Sequence, residues 1–236
     1  TSEITSAPYI DMTILCLLKS GVYVINKGNR IEVSGTPRLS GRTVCEGDWS
    51  GAAFWLCSAA VGSAPISVTG LNPSSVQGDR RICDILRSAD ARVSVRSDAV
   101  TVFPAPLSPL ELDAGDIPDL VPVISLLCAC TDGVSRISGV GRLRTKESDR
   151  VLSVCGLLRS LGGSAEDDGD TIIFHGGRLT GGCVRSFSDH RIIMSAAAAV
   201  TACSKPVIID SFSEFKKSYL AFDRDLIALG GSYELI

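Results

Sequence analysis

Residues 142–150, RLRTKESDR, place six charged residues among nine in a chain that is only 21% charged and 45% hydrophobic. If the segment is helical from about Thr145, Lys146 and Arg150 are i,i+4 neighbours on one face. Such a like-charge pair costs about 0.2–0.5 kcal/mol, partly offset by Glu147 three residues before Arg150. A cost that small is compatible with a solvated helix start, and equally with an anion held between the cations. The same device recurs elsewhere. At residues 189–191 the sequence DHR puts a guanidinium at a helix entry, where it opposes the macrodipole and is better explained by a bound anion. Lys216 and Lys217 precede a third helical pattern. Lys146, Arg150, Arg191 and Lys217, with Asp119, Glu147 and His190 as proton carriers, suit a small dianion or trianion and general acid/base chemistry.

Other chemistries are poorly served. The chain has no G-x-x-x-x-G-K-[ST] phosphate loop and no G-x-S-x-G elbow. Its net charge is −3 and its aromatic content 6%, so no general basic field or base-stacking platform points to nucleic acid. Nine scattered cysteines without a C-x-x-C, and only two histidines, make no zinc set. They are expected to be buried, reduced thiols. The longest apolar stretches, 117–130 and 192–203, are too short to span a membrane and read as core helices. The opening TSEITSAPYID lacks a signal-peptide pattern. A cytoplasmic location is expected, with no membrane partner.

The elements that must carry these residues repeat about every seventy residues. Three segments share one order: an acidic residue, an Ala/Leu-rich helix, a β-branched strand, a polar turn, a second helix and a closing hairpin. Asp48, Asp119 and Asp189 lie 71 and 70 residues apart, and Leu86, Leu158 and Leu226 lie 72 and 68 apart. This predicts an α/β protein built from βαβαββ-like units with pseudo-threefold symmetry. Each of the three aspartates is placed to cap a first helix, and Pro118 before Asp119 is a further helix-start signal. Residues before about 45 read as the second half of such a unit (helix, strand, turn, strand), with Leu18 in phase 68 residues before Leu86. The closing residues SYELI are expected to begin the third hairpin.

The segments RLRTKESDR, SDHRIIMSAAA, IPDLVP, EGDWSGAAF, TSAPYIDMT and KKSYLAFDRDLIALGG resemble motifs of the 5-enolpyruvylshikimate-3-phosphate synthase family that occur in the same order along the chain. The resemblance extends over essentially the whole chain, but over only the C-terminal half to three-fifths of the family's usual length. It implies an inside-out, barrel-like α/β lobe with helices turned inward. Residues 1–45 would be the tail of an N-terminal lobe and 46–236 a C-terminal lobe of three repeats, about 46–112, 113–180 and 181–236. The implied reaction transfers the enolpyruvyl group of phosphoenolpyruvate to the 5-hydroxyl of shikimate 3-phosphate, with release of phosphate and without a metal or organic cofactor. Asp119 would hydrogen-bond the attacking hydroxyl, Glu147 would serve as acid/base at the methylene carbon, and His190 and Lys217 would assist proton movement. Arg150, Arg191 and Lys217 would hold phosphoenolpyruvate, and Ser6, Tyr9, Asp119 and Lys146 would contact shikimate 3-phosphate.

Arg142 stands where the family commonly has asparagine, and Leu220 where it has proline. The family's N-terminal K-S element, its NAGT loop and its Ser-Ser-Gln segment have no counterpart here. The chain is therefore expected to be inactive alone and to need a complementary N-terminal polypeptide. The alternatives are a non-catalytic anion-binding lobe or structural or regulatory fragment, and a related UDP-sugar enolpyruvyl transferase, which KESDR with DHR disfavours.

Overall fold

The N-terminal half-unit has the expected order: helix α1 (Ala7–Lys19) leads into a hairpin of β1 (Tyr23–Asn26) and β2 (Ile31–Ser34), paired antiparallel. The structure is a computed structural model that describes residues 7–38, 41–42 and 44–235. No residue of α1 is buried, and Leu15, Leu18, Tyr23, Ile25, Ile31 and Val33 are exposed. Leu18, in phase with core leucines of the later units, thus has no core of its own among the described residues.

The first full unit comprises α2 (Trp49–Val61), β3 (Ile66–Thr69), α3 (Ile82–Ser88), β4 (Arg92–Val95) and β5 (Ala99–Phe103). The second comprises β6 (Glu111–Asp113), α4 (Val121–Ala129), β7 (Val134–Ser138), α5 (Arg150–Ser160), β8 (Ser164–Asp168) and β9 (Thr171–His175). In both, the last strand inserts between the two strands that precede it in sequence, giving the orders β3-β5-β4 and β6-β7-β9-β8. Period-2 alternation explains the register: Val100 and Val102 of β5, like Ile172 and Phe174 of β9, point to the core while their neighbours do not.

The third unit departs from expectation. It supplies β10 (Gly182–Val184), α6 (His190–Ala198), β11 (Val207–Ile209) and α7 (Phe222–Ala228), with β10 and β11 parallel, but residues 232–235 form no strand. The reason lies in the topology of the other two units. There the strand after the second helix pairs only with the following, central strand, so a single segment such as 232–235 has no ladder to join.

The inside-out arrangement follows from composition. The first helices α2, α4 and α6 are Ala- and Leu-rich with almost no polar side, so they go to the centre and pack on one another while the sheets cover them. In α4 every residue is buried. Leu86 of α3 and Leu158 of α5 reach the same core, and Leu226 of α7 packs at its edge. The thiols divide: Cys57, Cys83, Cys128 and Cys155 are buried as expected, whereas Cys16, Cys45 and Cys183 are exposed. Among the described residues no helix is long and apolar enough to cross a membrane.

Candidate functional site

The charged residues converge at the N-terminal ends of the central helices. Arg150 is the hub. Its side chain is 1% exposed, and its three nitrogens meet three carboxylates. Nε donates to Asp189 Oδ2 at 2.8 Å, Nη1 to Asp119 Oδ1 at 2.6 Å, and Nη2 to Glu147 Oε2. Asp119 also receives Arg191 Nη2 on Oδ2 at 3.1 Å and lies 3.5 Å from Lys146 Nζ. Glu147 Oε1 lies 3.4 Å from Lys217 Nζ. Four cations and three carboxylates are thereby linked in one network, contributed by segments far apart in sequence.

Local structure explains each placement, and corrects two expectations. Lys146 and Arg150 do not share a helical face. Lys146 is extended (φ −84°, ψ −159°), and α5 begins at Arg150 because Asp149 caps it, accepting the Val151 and Leu152 amides at 3.1 Å. The two cations meet at Asp119 instead. Nor does Asp119 cap α4: Leu120 takes the cap position without a side-chain bond, leaving the Asp119 carboxylate to the cations. Asp48 and Asp189 do cap, Asp48 through the Ser50 and Gly51 amides and Asp189 through the Arg191 amide at 2.9 Å. Asp189 therefore does double duty, fixing α6 and bridging to Arg150. Lys217 closes a 3₁₀ turn (Phe212–Lys217) that is pinned from below by aromatic packing. Phe215 lies 5.6 Å from Phe222 between ring centroids, and the Tyr219 hydroxyl accepts from Trp55 Nε1 and donates to Asp225. Leu220 is an exposed turn residue outside this packing.

The electrostatics follow from the pairing. Burial alone would raise the pKa of Asp119, but Arg191, Lys146 and Arg150 outweigh it and hold the carboxyl below its usual range. Burial likewise opposes ionisation of Asp189, and the Arg150 bond, the Arg191 amide and the Ser148 hydroxyl overcome it. For Glu147, burial is outweighed by its own amide and by Arg150 and Lys217, again lowering the pKa. All three are ionised near neutrality. His190 is pushed down by burial and by Arg191, so its ring is neutral at pH 7, and its Nδ1 is buried with no hydrogen-bond partner among the described residues. It is a hydrogen-bonding group, not a fixed cation.

The sequence reading overlooked Asp79. It sits in a 3₁₀ turn (Gly78–Arg81), is 2% exposed, and is pushed by burial to a pKa of about 6 despite the Ser50 hydroxyl bond and the Arg191 charge. The repeat register held a signal for it. The 72-residue offset from Leu86 to Leu158 brings Asp79 level with position 151, beside the hub arginine of the second unit. Tyr9 lies within electrostatic reach of Asp79, Asp119 and Arg191. Ser6 falls outside the described residues.

These shifts set the pH dependence of stability. Asp119, Asp189 and Glu147 have folded pKa values below their unfolded ones, so the unfolded chain binds more protons in acid. Their stabilisation is complete above about pH 5 and is lost as pH falls through about 4 and below. Asp79, with a raised folded value, acts oppositely and lowers stability as pH rises from about 4 through about 6. Urea midpoints against pH should show a steep loss below about pH 4 and a shallow decline between about 4 and 6. Only the shallow decline should vanish in Asp79→Asn; its persistence there would show that Asp79 is not its source.

The sequence profile of the EPSP synthase (3-phosphoshikimate 1-carboxyvinyltransferase) family matches residues 1–226. A 3-phosphoshikimate 1-carboxyvinyltransferase of Aeropyrum pernix is 39% identical over 237 aligned residues, covering 100% of this chain and 55% of the relative. One of Clostridium kluyveri is 36% identical over 99% of the chain and 55% of its own length. Among solved structures, EPSP synthase from Acinetobacter baumannii superposes with a TM-score of 0.79 at 24% identity, over 92% of this chain and 53% of that one. The enolpyruvyl transferase NikO of Streptomyces tendae gives 0.74 at 20% identity, over 97% and 54%. At these identities the structural matches speak for the fold alone. The chain spans about half the length of the curated relatives it matches.

Proposed function

The chain belongs to the EPSP synthase family, and on that premise we propose that its charged cluster is half of the active site that transfers the enolpyruvyl group of phosphoenolpyruvate to the 5-hydroxyl of shikimate 3-phosphate. The observation that carries the proposal is the Arg150 network, in which four cations and three ionised carboxylates from the second and third repeats meet at the ends of the buried helices.

In the proposed cycle, the phosphate and carboxylate of phosphoenolpyruvate compete with Glu147 for Arg150 and Lys217, and with Asp119 for Arg191. A Glu147 freed from Arg150 loses the charge that keeps its pKa low and can exchange a proton near neutrality. Asp119 accepts a hydrogen bond from the attacking hydroxyl. The hydroxyl oxygen bonds to the central carbon of the enolpyruvyl group as its proton passes to Asp119 for later release to solvent, while the methylene carbon takes a proton from Glu147. The resulting tetrahedral adduct then returns that proton to Glu147 as the carbon–oxygen bond to phosphate breaks, restoring the double bond. Lys217 and the neutral His190 stabilise the changing charge, and Tyr9, Lys146 and Ser6 hold the shikimate phosphate partner. Clamping both anions supplies the proximity that a two-substrate addition requires.

Residues 1–45 then form the tail of an N-terminal lobe and 46–236 the C-terminal lobe. The uncovered apolar residues of α1, β1 and β2 support this assignment. The expected partner is a complementary N-terminal polypeptide that covers them and brings the remaining substrate contacts.

Phosphate release from the two substrates tests the proposal. The chain alone should be silent, and adding the N-terminal half of a family member should restore turnover. Full turnover by the chain alone would overturn the half-site assignment. No release in either case would overturn the transferase assignment and favour an anion-binding lobe. In the restored enzyme, Glu147→Gln should lower turnover about 10²–10⁴-fold.

A further inference from the structure

Beside the charged cluster, the Tyr9 hydroxyl and Asp79 Oδ1 are two of the polar atoms buried with no hydrogen-bond partner among the described residues. One is a donor lacking an acceptor, the other an acceptor lacking a donor, and leaving either unsatisfied out of water is costly. Asp79 is rigidly placed. Its other oxygen accepts from the Ser50 hydroxyl at 2.5 Å. The loop before it is tied to the start of α2 through Glu46, which accepts from Asn72, Ser75 and Gln77 at 2.9, 2.6 and 2.9 Å. Gln77 in turn accepts the Trp49 amide at 2.9 Å.

The first turn of α1 comes to rest on this turn. A Cβ at Gly78 would lie 3.0 Å from Pro8 Cβ and 3.2 Å from the Asp116 carbonyl oxygen, so glycine permits the approach. Burial raises the Tyr9 pKa most, and among charged groups Asp79 acts on its hydroxyl most strongly, ahead of Asp119, Arg191 and Asp48. The groups facing the Asp79 carboxylate are Tyr9 from α1, Ser50 and Asp48 from the start of α2, Asp119 from before α4 and Arg191 from α6.

Resting on the substrate-site reading above, we propose that Asp79 is a positioning residue of that site, whose free oxygen accepts a hydrogen bond from the Tyr9 hydroxyl, directly or through one water. The bond fixes the first turn of α1 on the lobe and sets the Tyr9 ring for contact with the shikimate 3-phosphate partner. Asp79 acts through Tyr9, so its loss weakens substrate affinity and leaves the chemical step nearly intact.

The bond is tested first without substrate, in the chain labelled with ¹³C at tyrosine Cζ. The Tyr9 resonance, assigned by its absence in Tyr9→Phe, should shift as pH passes through about 6, where Asp79 titrates, and should stay flat in Asp79→Asn. A flat wild-type resonance, or the same step in Asp79→Asn, would overturn the proposal. The second test measures shikimate 3-phosphate affinity with the complementary polypeptide present. Tyr9→Phe and Asp79→Ala should each weaken binding about tenfold, as expected for one hydrogen bond to a charged group. The double variant should be no weaker than either, and Asp79→Asn, which keeps an acceptor, should stay within about threefold of wild type. Additive losses of about a hundredfold would overturn the proposal. If the wild-type assembly does not bind shikimate 3-phosphate, the substrate reading fails, and the tyrosine spectrum alone decides the Asp79–Tyr9 bond.

Discussion

Replacing Arg150 with methionine is expected to destabilise the chain by about 3–5 kcal/mol at pH 7, the range for removing one partner of a buried ion pair. Methionine matches the length of the arginine stem, so the loss reports charge more than volume. The size of the effect follows from the geometry. Arg150 is 1% exposed and is the group that connects Asp119, Glu147 and Asp189, of which Asp189 is wholly buried. Without the guanidinium, the hydrogen bonds left to the Asp189 carboxylate among the described residues are those from the Ser148 hydroxyl and the Arg191 amide. The deficit should shrink as pH falls below about 4, because the stranded carboxylates can then take up protons. Arg150→Lys should recover only part of the loss, since one ammonium cannot address three carboxylates from three directions as a planar guanidinium does. Urea unfolding at pH 7 and pH 4 measures each value. A loss under about 1 kcal/mol at pH 7 would mean the network is solvated and its pairs contribute as surface pairs do.

The second large effect is on turnover. In the assembled enzyme, Asp119→Asn should lower the rate at saturating substrate by about 10²–10⁴-fold, the usual scale for a group that orients or accepts a proton. Affinity for phosphoenolpyruvate should hold or improve, because the change releases Arg191, Lys146 and one arm of Arg150 from their shared carboxylate. That split separates a role in the chemistry from a role in holding the fold, which would depress rate and affinity together. Phosphate release over a range of both substrates gives the two quantities, and an unchanged rate would remove Asp119 from the mechanism.

The central helices are legible in the sequence, because a run such as α4, with no polar face, is placed in a core by its composition. The repeat register was legible for the same reason. Leucines spaced 72 and 68 residues apart mark equivalent second helices, and all three fall within α3, α5 and α7. The third hairpin was misjudged because strand formation depends on a ladder partner that local β-propensity does not report. The helix start at Thr145 was misjudged because a charged run is compatible with helix anywhere along it, while the Asp149 cap selects a single point.

By itself, the sequence determined the repeated α/β plan, the apolar stretches that form core helices and the set of ionisable residues available for anion chemistry, since these depend on periodicity and residue type. Only the tertiary structure decided who pairs with whom. Asp119 reads locally as a helix cap, yet it binds Arg150 and Arg191, 31 and 72 residues away. Asp79 took no role from the sequence, yet it is buried against Ser50. Burial and long-range pairing set a carboxylate's protonation state, and both arise only when the units pack together.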